Sequence, residues 1–405
     1  MIWLATLLAI AIASTNALPT RSGGCSVSLN GDLNDPQPLI LVPKGQEASY
    51  VLPVDTSGTL VFAENEELRL ACVGENNYLV GVGDEDIQDI EAYCVSDKTF
   101  LVNSVEYEFG DLVCSFVPSS TVRRTGEACL DKYSQVEIGF DLGDEFLRTI
   151  EICRDDDIYF TYWTKFNLTK AIGGYQRSYP RPSWSQGDFW GDYNVNTQFT
   201  RSVQRATVSL IVNSTELGAA YISSSTNYYF ARGHITAKAD FVYGSAHWST
   251  FWYVNCHPQW QTFNGANWMY LESDVRSYAS NSQVDLDVYT GVHGITTLRD
   301  VNDVEQPIYF YASGDERALP VPKFFWKIIY DPLTQKGTAF VGVNNPYITE
   351  VTSDYYICDD ISSKITWLTW TADDIEKGIS YACTIDDLRE AVPTLPELTV
   401  VDILT

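Results

Sequence analysis

Between Phe230 and Arg276 the chain concentrates residue types that together could hydrolyse a phosphodiester. The imidazole of His234 follows the guanidinium of Arg232 across a glycine that suggests a hinged turn; Asn255, Asn264, Glu272 and Arg276 come downstream. Such a hydrolysis needs a base for water, positive charge on the equatorial oxygens and a partner for the departing alkoxide. A neutral imidazole, arginines and Mg²⁺ can supply these three. His234 is the candidate base. Mg²⁺ keeps most of its hydration and is commonly held by one or two protein oxygens, so one carboxamide and one outer carboxylate suffice. Asn264 and Glu272 fit those roles, with Mn²⁺ as an alternative ion.

The spacing predicts the element that positions these groups. A helix beginning near Asn264, itself a favoured N-cap type, would bring Asn264 and Glu272 within about 80° of one another around the axis. Trp268, Leu271 and Val275 would form an apolar stripe at 0, +3 and +7 facing a sheet. Glu272 and Arg276 would make an i,i+4 ion pair.

These motifs resemble the DNA/RNA non-specific endonucleases of the ββα-metal type. Arg232-Gly233-His234, Ala239-Asp240-Phe241, Asn255, Pro258-Gln259, Asn264, Trp268 and Glu272 follow the family pattern in order. Val288–Gly291 and Pro320–Lys327 look like its later strands. Tyr229–His234, Pro258–Asn264 and Cys383–Arg389 look most like the secreted crustacean nucleases, which include the duplex-specific nuclease. The resemblance implies that His234 is the general base, Asn264 the only direct protein ligand of the metal, and Glu272 a carboxylate holding the metal's water. Arg232, Asn255 and Arg276 would orient phosphate or the catalytic groups, and Arg201 or Arg205 would be an upstream phosphate arginine. Ala231 stands where the broader family has Asp.

Other chemistries lack their signatures. No zinc-protease His-Glu-x-x-His, nucleophile elbow, P-loop or dinucleotide glycine motif occurs. Of the four histidines, His257 reads as structural despite its nearness to Asn255. A net charge of −27 opposes nucleic-acid binding if spread evenly. It is not even: residues 165–238 hold eight basic residues, Lys165, Lys170, Arg177, Arg181, Arg201, Arg205, Arg232 and Lys238, against three acidic ones, a local +5. A basic track within an acidic envelope is expected. Trp184, Phe189, Trp190 and Tyr193 could stack on bases, although packing is the more ordinary role.

The first 17 residues read as a secretory signal peptide, and no later run reaches transmembrane length. Nine cysteines fit an oxidising compartment. Cys25, Cys72, Cys94 and Cys114 are expected to pair among themselves, Cys129 with Cys153 and Cys358 with Cys383, leaving Cys256 free. Asn167 and Asn213 begin glycosylation sequons. Short alternating runs such as Gly58–Phe62 and Leu68–Cys72 predict a small β-rich domain over residues 18–125, with a boundary at Arg123–Gly126. Residues 126–405 are expected to form an α+β nuclease domain with mixed or antiparallel sheets, including a helix near Ile385–Ala391. The expected protein is a secreted Mg²⁺-dependent endonuclease acting chiefly on DNA, preferably duplex, with no membrane and no obligate protein partner. The rivals are a catalytically silent nucleic-acid-binding protein and a carbohydrate-binding or adhesion protein.

Overall fold

The computed structural model describes residues 23–83 and 86–405. The signal peptide expected at residues 1–17, and Asp84 and Glu85 of the acidic run, lie outside them.

The N-terminal module is all β. Its strands are β1 (Gly24–Ser28), β2 (Leu39–Leu41), β3 (Thr59–Ala63), β4 (Glu67–Ala71), β5 (Asp89–Ser96), β6 (Thr99–Val102) and β7 (Val105–Glu108). They form a five-stranded sheet of order β2-β4-β5-β6-β7 and a β1-β3 pair. Disulfides Cys25–Cys94 and Cys72–Cys114 staple this small core, as expected, each closing a long loop.

The rest of the chain is built on one antiparallel sheet. Strands β8 (Thr121–Cys129), β9 (Tyr133–Asp141), β10 (Phe146–Asp155) and β11 (Phe160–Leu168) supply half of it. Helices α1 (Val195–Gln198), α2 (Arg201–Ile211) and α3 (Thr215–Tyr221) follow, then strand β12 (Phe230–His234), helix α4 (Gly244–Ser249), strand β13 (Cys256–Trp260), and helices α5 (Gln261–Asn264) and α6 (Asn267–Ser282). Strand β14 (Leu286–Ile295) returns to the sheet. Two hairpins come next, β15 (Thr297–Arg299) with β16 (Glu305–Pro307) and β17 (Tyr309–Ser313) with β18 (Glu316–Pro320). Strands β19 (Pro322–Asp331), β20 (Lys336–Val343) and β21 (Ser380–Cys383), with helix α7 (Ile385–Ala391), complete the chain. The order is β21-β20-β19-β14-β11-β10-β9-β8.

The middle strands of this sheet are covered on both faces, so they read as apolar runs rather than alternating ones. On one face Phe166, Val288, Phe325 and Ile329 meet Trp268, Leu271 and Val275 of α6, and the same cluster continues into the N-terminal module. On the other face Trp163, Tyr289, Trp326 and Ile328 meet Leu388, Val392 and Leu395 beyond β21. Cys129–Cys153 and Cys358–Cys383 pair as expected, and Cys256 is free and buried. Helix α7 occupies the stretch the sequence indicates.

Two expectations change here. The boundary expected at Arg123–Gly126 falls inside β8, which pairs with β9, so the large sheet begins at Thr121. Gly233 is not a turn: β12 runs straight through it, opposite His257. A side chain there would bring its Cβ within 2.6 Å of the Gln259 side chain, so the glycine serves close packing rather than a bend.

Gly291 gives a test of the sheet. A Cβ at this position would lie 2.3 Å from Trp326 Cζ2 and 2.4 Å from the Tyr162 carbonyl oxygen. Gly291→Ala is expected to destabilise the fold by roughly 1–3 kcal/mol, seen as a lowered urea midpoint with unchanged slope; an unmoved midpoint would show that the sheet yields at no cost.

Candidate active site

Strand alternation puts Arg232 and His234 on one face of the antiparallel β12–β13 pair and Ala231 and Gly233 on the other. An acid at position 231 would therefore leave the face that His234 uses. Cys256, opposite His234 in register, shares its side of the pair, whereas His257 lies opposite Gly233. His257 is buried, packs on Phe160 with ring centroids 4.6 Å apart, and bonds through Nε2 to the Thr161 carbonyl at 2.7 Å. Its role is structural, as the sequence suggests.

The His234 ring is wedged between Trp184, centroids 4.5 Å apart, and Phe251 at 4.8 Å. Its Nε2 is buried with no hydrogen-bond partner. Burial, then the charges of Arg181 and Lys238, depress its pKa to about 3. The imidazole is consequently neutral at physiological pH, the form a base requires. An arriving phosphate would offset the two cations and raise its basicity.

Arg232 donates from Nε to the Tyr253 hydroxyl at 2.9 Å and from Nη2 to Asn196 Oδ1 at 2.9 Å. Neutral partners hold the fork in place and leave its charge uncompensated. Asn255 is fully buried and fully used: Nδ2 donates to the carbonyls of Thr236 and Thr250, and Oδ1 accepts from Thr236 N. Here it fixes the backbone just after His234, and its carboxamide has nothing left for a phosphate.

The helix expected to start at Asn264 is broken. Asn264 ends α5, Gly265 and Ala266 intervene, and α6 begins at Asn267 with Ala266 as N-cap and no side-chain cap. Asn264 is therefore no N-cap of α6, and the single-helix angle to Glu272 does not apply. Asn267 takes the structural part: buried, it donates to the carbonyls of Thr371 and Gly378 and accepts from Thr371 N. Asn264, by contrast, makes only a 3.4 Å contact from Nδ2 to Gln261 Oε1, which leaves its own oxygen free. Phe263 anchors α5 against Gly342 and Gly378, where any Cβ would lie 2.4 Å from its ring. The expected apolar stripe of α6 is present, with Trp268, Leu271 and Val275 all buried.

Glu272 does not pair with Arg276. Arg276 instead donates from Nη1 to Asp240 Oδ1 at 2.8 Å, tying α6 to the segment six residues past His234. Glu272 makes no hydrogen bond among the described residues. Burial, then Asp240, raise its pKa to about 7, against the opposing pull of Lys327, Arg276 and Arg181. A half-buried carboxylate without a donor and a carboxamide oxygen without a donor are both hard oxygen ligands, and they fit a Mg²⁺-type ion with its water shell. Among the described residues no three His, Cys, Asp or Glu side chains converge as a cage.

Three residues absent from the sequence-based site belong to it. Asp240, part of the Ala239-Asp240-Phe241 motif, holds Arg276. Lys327 is 1% exposed within β19, donates to Thr290 Oγ1 at 2.6 Å, and lies 5.7 Å from the Trp268 ring. A lone lysine inside an apolar strand was the available signal. Arg181 is exposed, and its charge bears on both His234 and Glu272. Its setting Pro180-Arg181-Pro182, which favours extended backbone, was the signal there.

Arg201 and Arg205 are anchored on neutral groups. Arg201 donates to the carbonyls of Ser223 and Ser224, and Arg205 to that of Ile222, just after α3. The basic track is likewise thinned. Lys165 pairs with Asp287 and Lys170 with Asp285, while Arg177, Arg181, Arg201, Arg205, Arg232 and Lys238 have no carboxylate partner among the described residues. Of the flagged aromatics, Phe189 and Trp190 are buried and Tyr193 bonds to Glu316, leaving Trp184 at the site.

Burial of the histidines predicts an acid-sensitive fold. His234 falls to about 3 and His247 and His257 to about 4, burial being the largest cause in each. The unfolded chain therefore takes up protons first as pH falls through about 6.5, so this stability is complete above that value and declines toward about 4. Unfolding free energy should drop between about pH 7 and pH 5, and His257→Gln should flatten the slope; a level profile would refute this.

A profile of the DNA/RNA non-specific endonuclease family matches residues 134–388. The "Salivary endonuclease" of Lutzomyia longipalpis is 24% identical over 330 residues, covering 81% of this chain and 73% of that one. "Salivary protein Tsal2A" of Glossina morsitans morsitans is 24% identical over 394 residues, 93% and 92% of the two chains. The "Salivary endonuclease" of Culex quinquefasciatus is 26% identical over 289 residues, 69% and 71%. The family match covers more than half of the chain, including the β12–β13 pair and α6 that carry the candidate site, and the chain belongs to the DNA/RNA non-specific endonucleases.

Proposed function

We propose that this nuclease is a secreted, Mg²⁺-dependent endonuclease that cuts DNA with little sequence preference. The observation that carries the reading is a neutral, unpartnered imidazole beside uncompensated arginines, on a hairpin tied by Asp240–Arg276 to a helix with a donor-free carboxylate. His234 accepts a proton from the attacking water. Arg232 and Arg181 receive the phosphate oxygens, Arg181 taking the part first expected of Arg201 or Arg205. Asn255 acts as a positioning residue behind His234, and Arg276 acts through Asp240. Asn264 and Glu272 would hold Mg²⁺, which supplies charge for the phosphate and the departing oxygen.

Specificity is low on this reading because the site offers phosphate contacts rather than base-reading pairs. The preference for duplex DNA rests on the resemblance to the crustacean nucleases. Secretion is supported by the four disulfides, by the salivary relatives and by two exposed sequon asparagines, Asn167 and Asn213. Among the described residues no helix is long and apolar enough to cross a membrane.

A plasmid-nicking assay with Mg²⁺ and with EDTA tests the activity, and duplex DNA, single-stranded DNA, RNA and a hybrid compared side by side test the substrate. His234→Ala should cut turnover by roughly 10²–10⁴-fold while leaving DNA binding nearly intact; full activity in that variant would refute the base assignment. Asn264→Ala should raise the Mg²⁺ concentration needed for half-maximal rate, and an unchanged requirement would remove it from the metal site.

A further inference from the structure

The segment from Tyr175 to Gln186 has no helix or strand of its own, yet it carries Arg181 and Trp184 to His234. Its nuclease-side attachments are specific. Lys238 Nζ donates to the Tyr179 carbonyl at 2.5 Å, Trp248 Nε1 to the Pro180 carbonyl at 2.9 Å, and Ser185 exchanges backbone hydrogen bonds with Phe251 and Tyr253.

The other end of this strap is held by the N-terminal module. Asn30 donates from Nδ2 to the Tyr175 carbonyl at 3.2 Å and accepts at Oδ1 from Arg177 N at 2.9 Å. Gln176, 4% exposed, sits where three parts of the chain meet. Its Nε2 donates to the Leu29 carbonyl at 3.2 Å and to Gln37 Oε1 at 2.7 Å, both in the module. Its Oε1 accepts from Gly244 N at 2.6 Å, and its own N–H donates to the Val242 carbonyl at 2.8 Å, both just past Asp240. Nearby, Gly174 lets the backbone approach so closely that a Cβ would lie 2.5 Å from the Asp55 carbonyl oxygen. Tyr243 stacks on Tyr50 at 4.7 Å and donates to the Val51 carbonyl at 2.5 Å.

We propose that the N-terminal β module is a positioning part of the active cleft: through Gln176 and Asn30 it fixes the strap that presents Arg181 to the substrate phosphate. The module works as a seat rather than as a separate binding domain. This rests on the reading of Arg181 as a phosphate contact. Gln176 is a positioning residue, because it touches neither substrate nor the reacting atoms.

The test measures duplex-DNA affinity against salt concentration in the full chain, with His234→Ala and EDTA present to prevent cleavage. One phosphate contact is worth a slope of about 0.9 in log K against log salt. Arg181→Ala should lower the slope by about that amount, Gln176→Met should lower it comparably, and the double variant should lose no more than either. A merely structural Gln176 would lower the melting temperature and leave the slope alone, which would overturn the proposal. An unchanged slope in Arg181→Ala would instead sink the phosphate reading of Arg181 and the proposal with it. If Gln176→Met does not fold, Asn30→Ala, at an exposed position, decides: a reduced slope supports the seat and an unchanged one refutes it.

Discussion

The ion pair between Asp240 and Arg276 joins the two halves of the cleft. Asp240 follows His234 by six residues, and Arg276 lies one turn beyond Glu272 on α6, so a single contact relates the base to the carboxylate. Asp240 is 4% exposed, and breaking a buried pair of this kind costs about 3–5 kcal/mol because one charge is left uncompensated. The pair also shapes the electrostatics around it. By claiming Arg276, Asp240 leaves Glu272 without a donor, and its own charge helps to hold the Glu272 proton.

Beneath this contact the large sheet supplies rigidity. Thr164, Thr290 and Lys327 lie in register on β11, β14 and β19, all buried, in a face otherwise made of Phe166, Val288, Phe325 and Ile329. Thr164 bonds to Thr236 at 2.7 Å, two residues past His234, and Lys327 bonds to Thr290 below Trp268. A polar row thus runs under the site from the loop of the base to the helix of the carboxylate. Satisfied buried polar rows of this kind fix one arrangement of their neighbours.

The acidic net charge and the phosphate chemistry are reconciled by pairing. Lys165 and Lys170 pair with Asp287 and Asp285, whereas Arg201 and Arg205 bond only to neutral backbone carbonyls, which leaves their charge uncompensated. Arg177, Arg181, Arg232 and Lys238 likewise have no carboxylate partner among the described residues, and Arg181 and Lys238 are the ones that act on His234. Counting charges along the chain marked a basic window but could not say which of its cations are paired with carboxylates.

Local chemistry determined much of this protein in advance. The order of Arg232, His234, Asn264 and Glu272, the apolar stripe of α6, the two local disulfides and helix α7 depend on neighbours in sequence, and each is legible there. What the sequence could not decide depends on partners far along the chain. Whether Asn255 keeps a spare oxygen turns on Thr236, and whether Asn267 caps or anchors turns on Thr371 and Gly378. Arg276 had a nearby carboxylate at helical spacing and took a more distant one, because a buried cation pairs with the carboxylate that packing delivers rather than the one spacing offers. The segment that carries Arg181 is held by the N-terminal β module and by Lys238, Trp248 and the Ser185 backbone bonds, all contacts distant in sequence. The sequence named the chemical groups; tertiary packing decided which of them were left free to act.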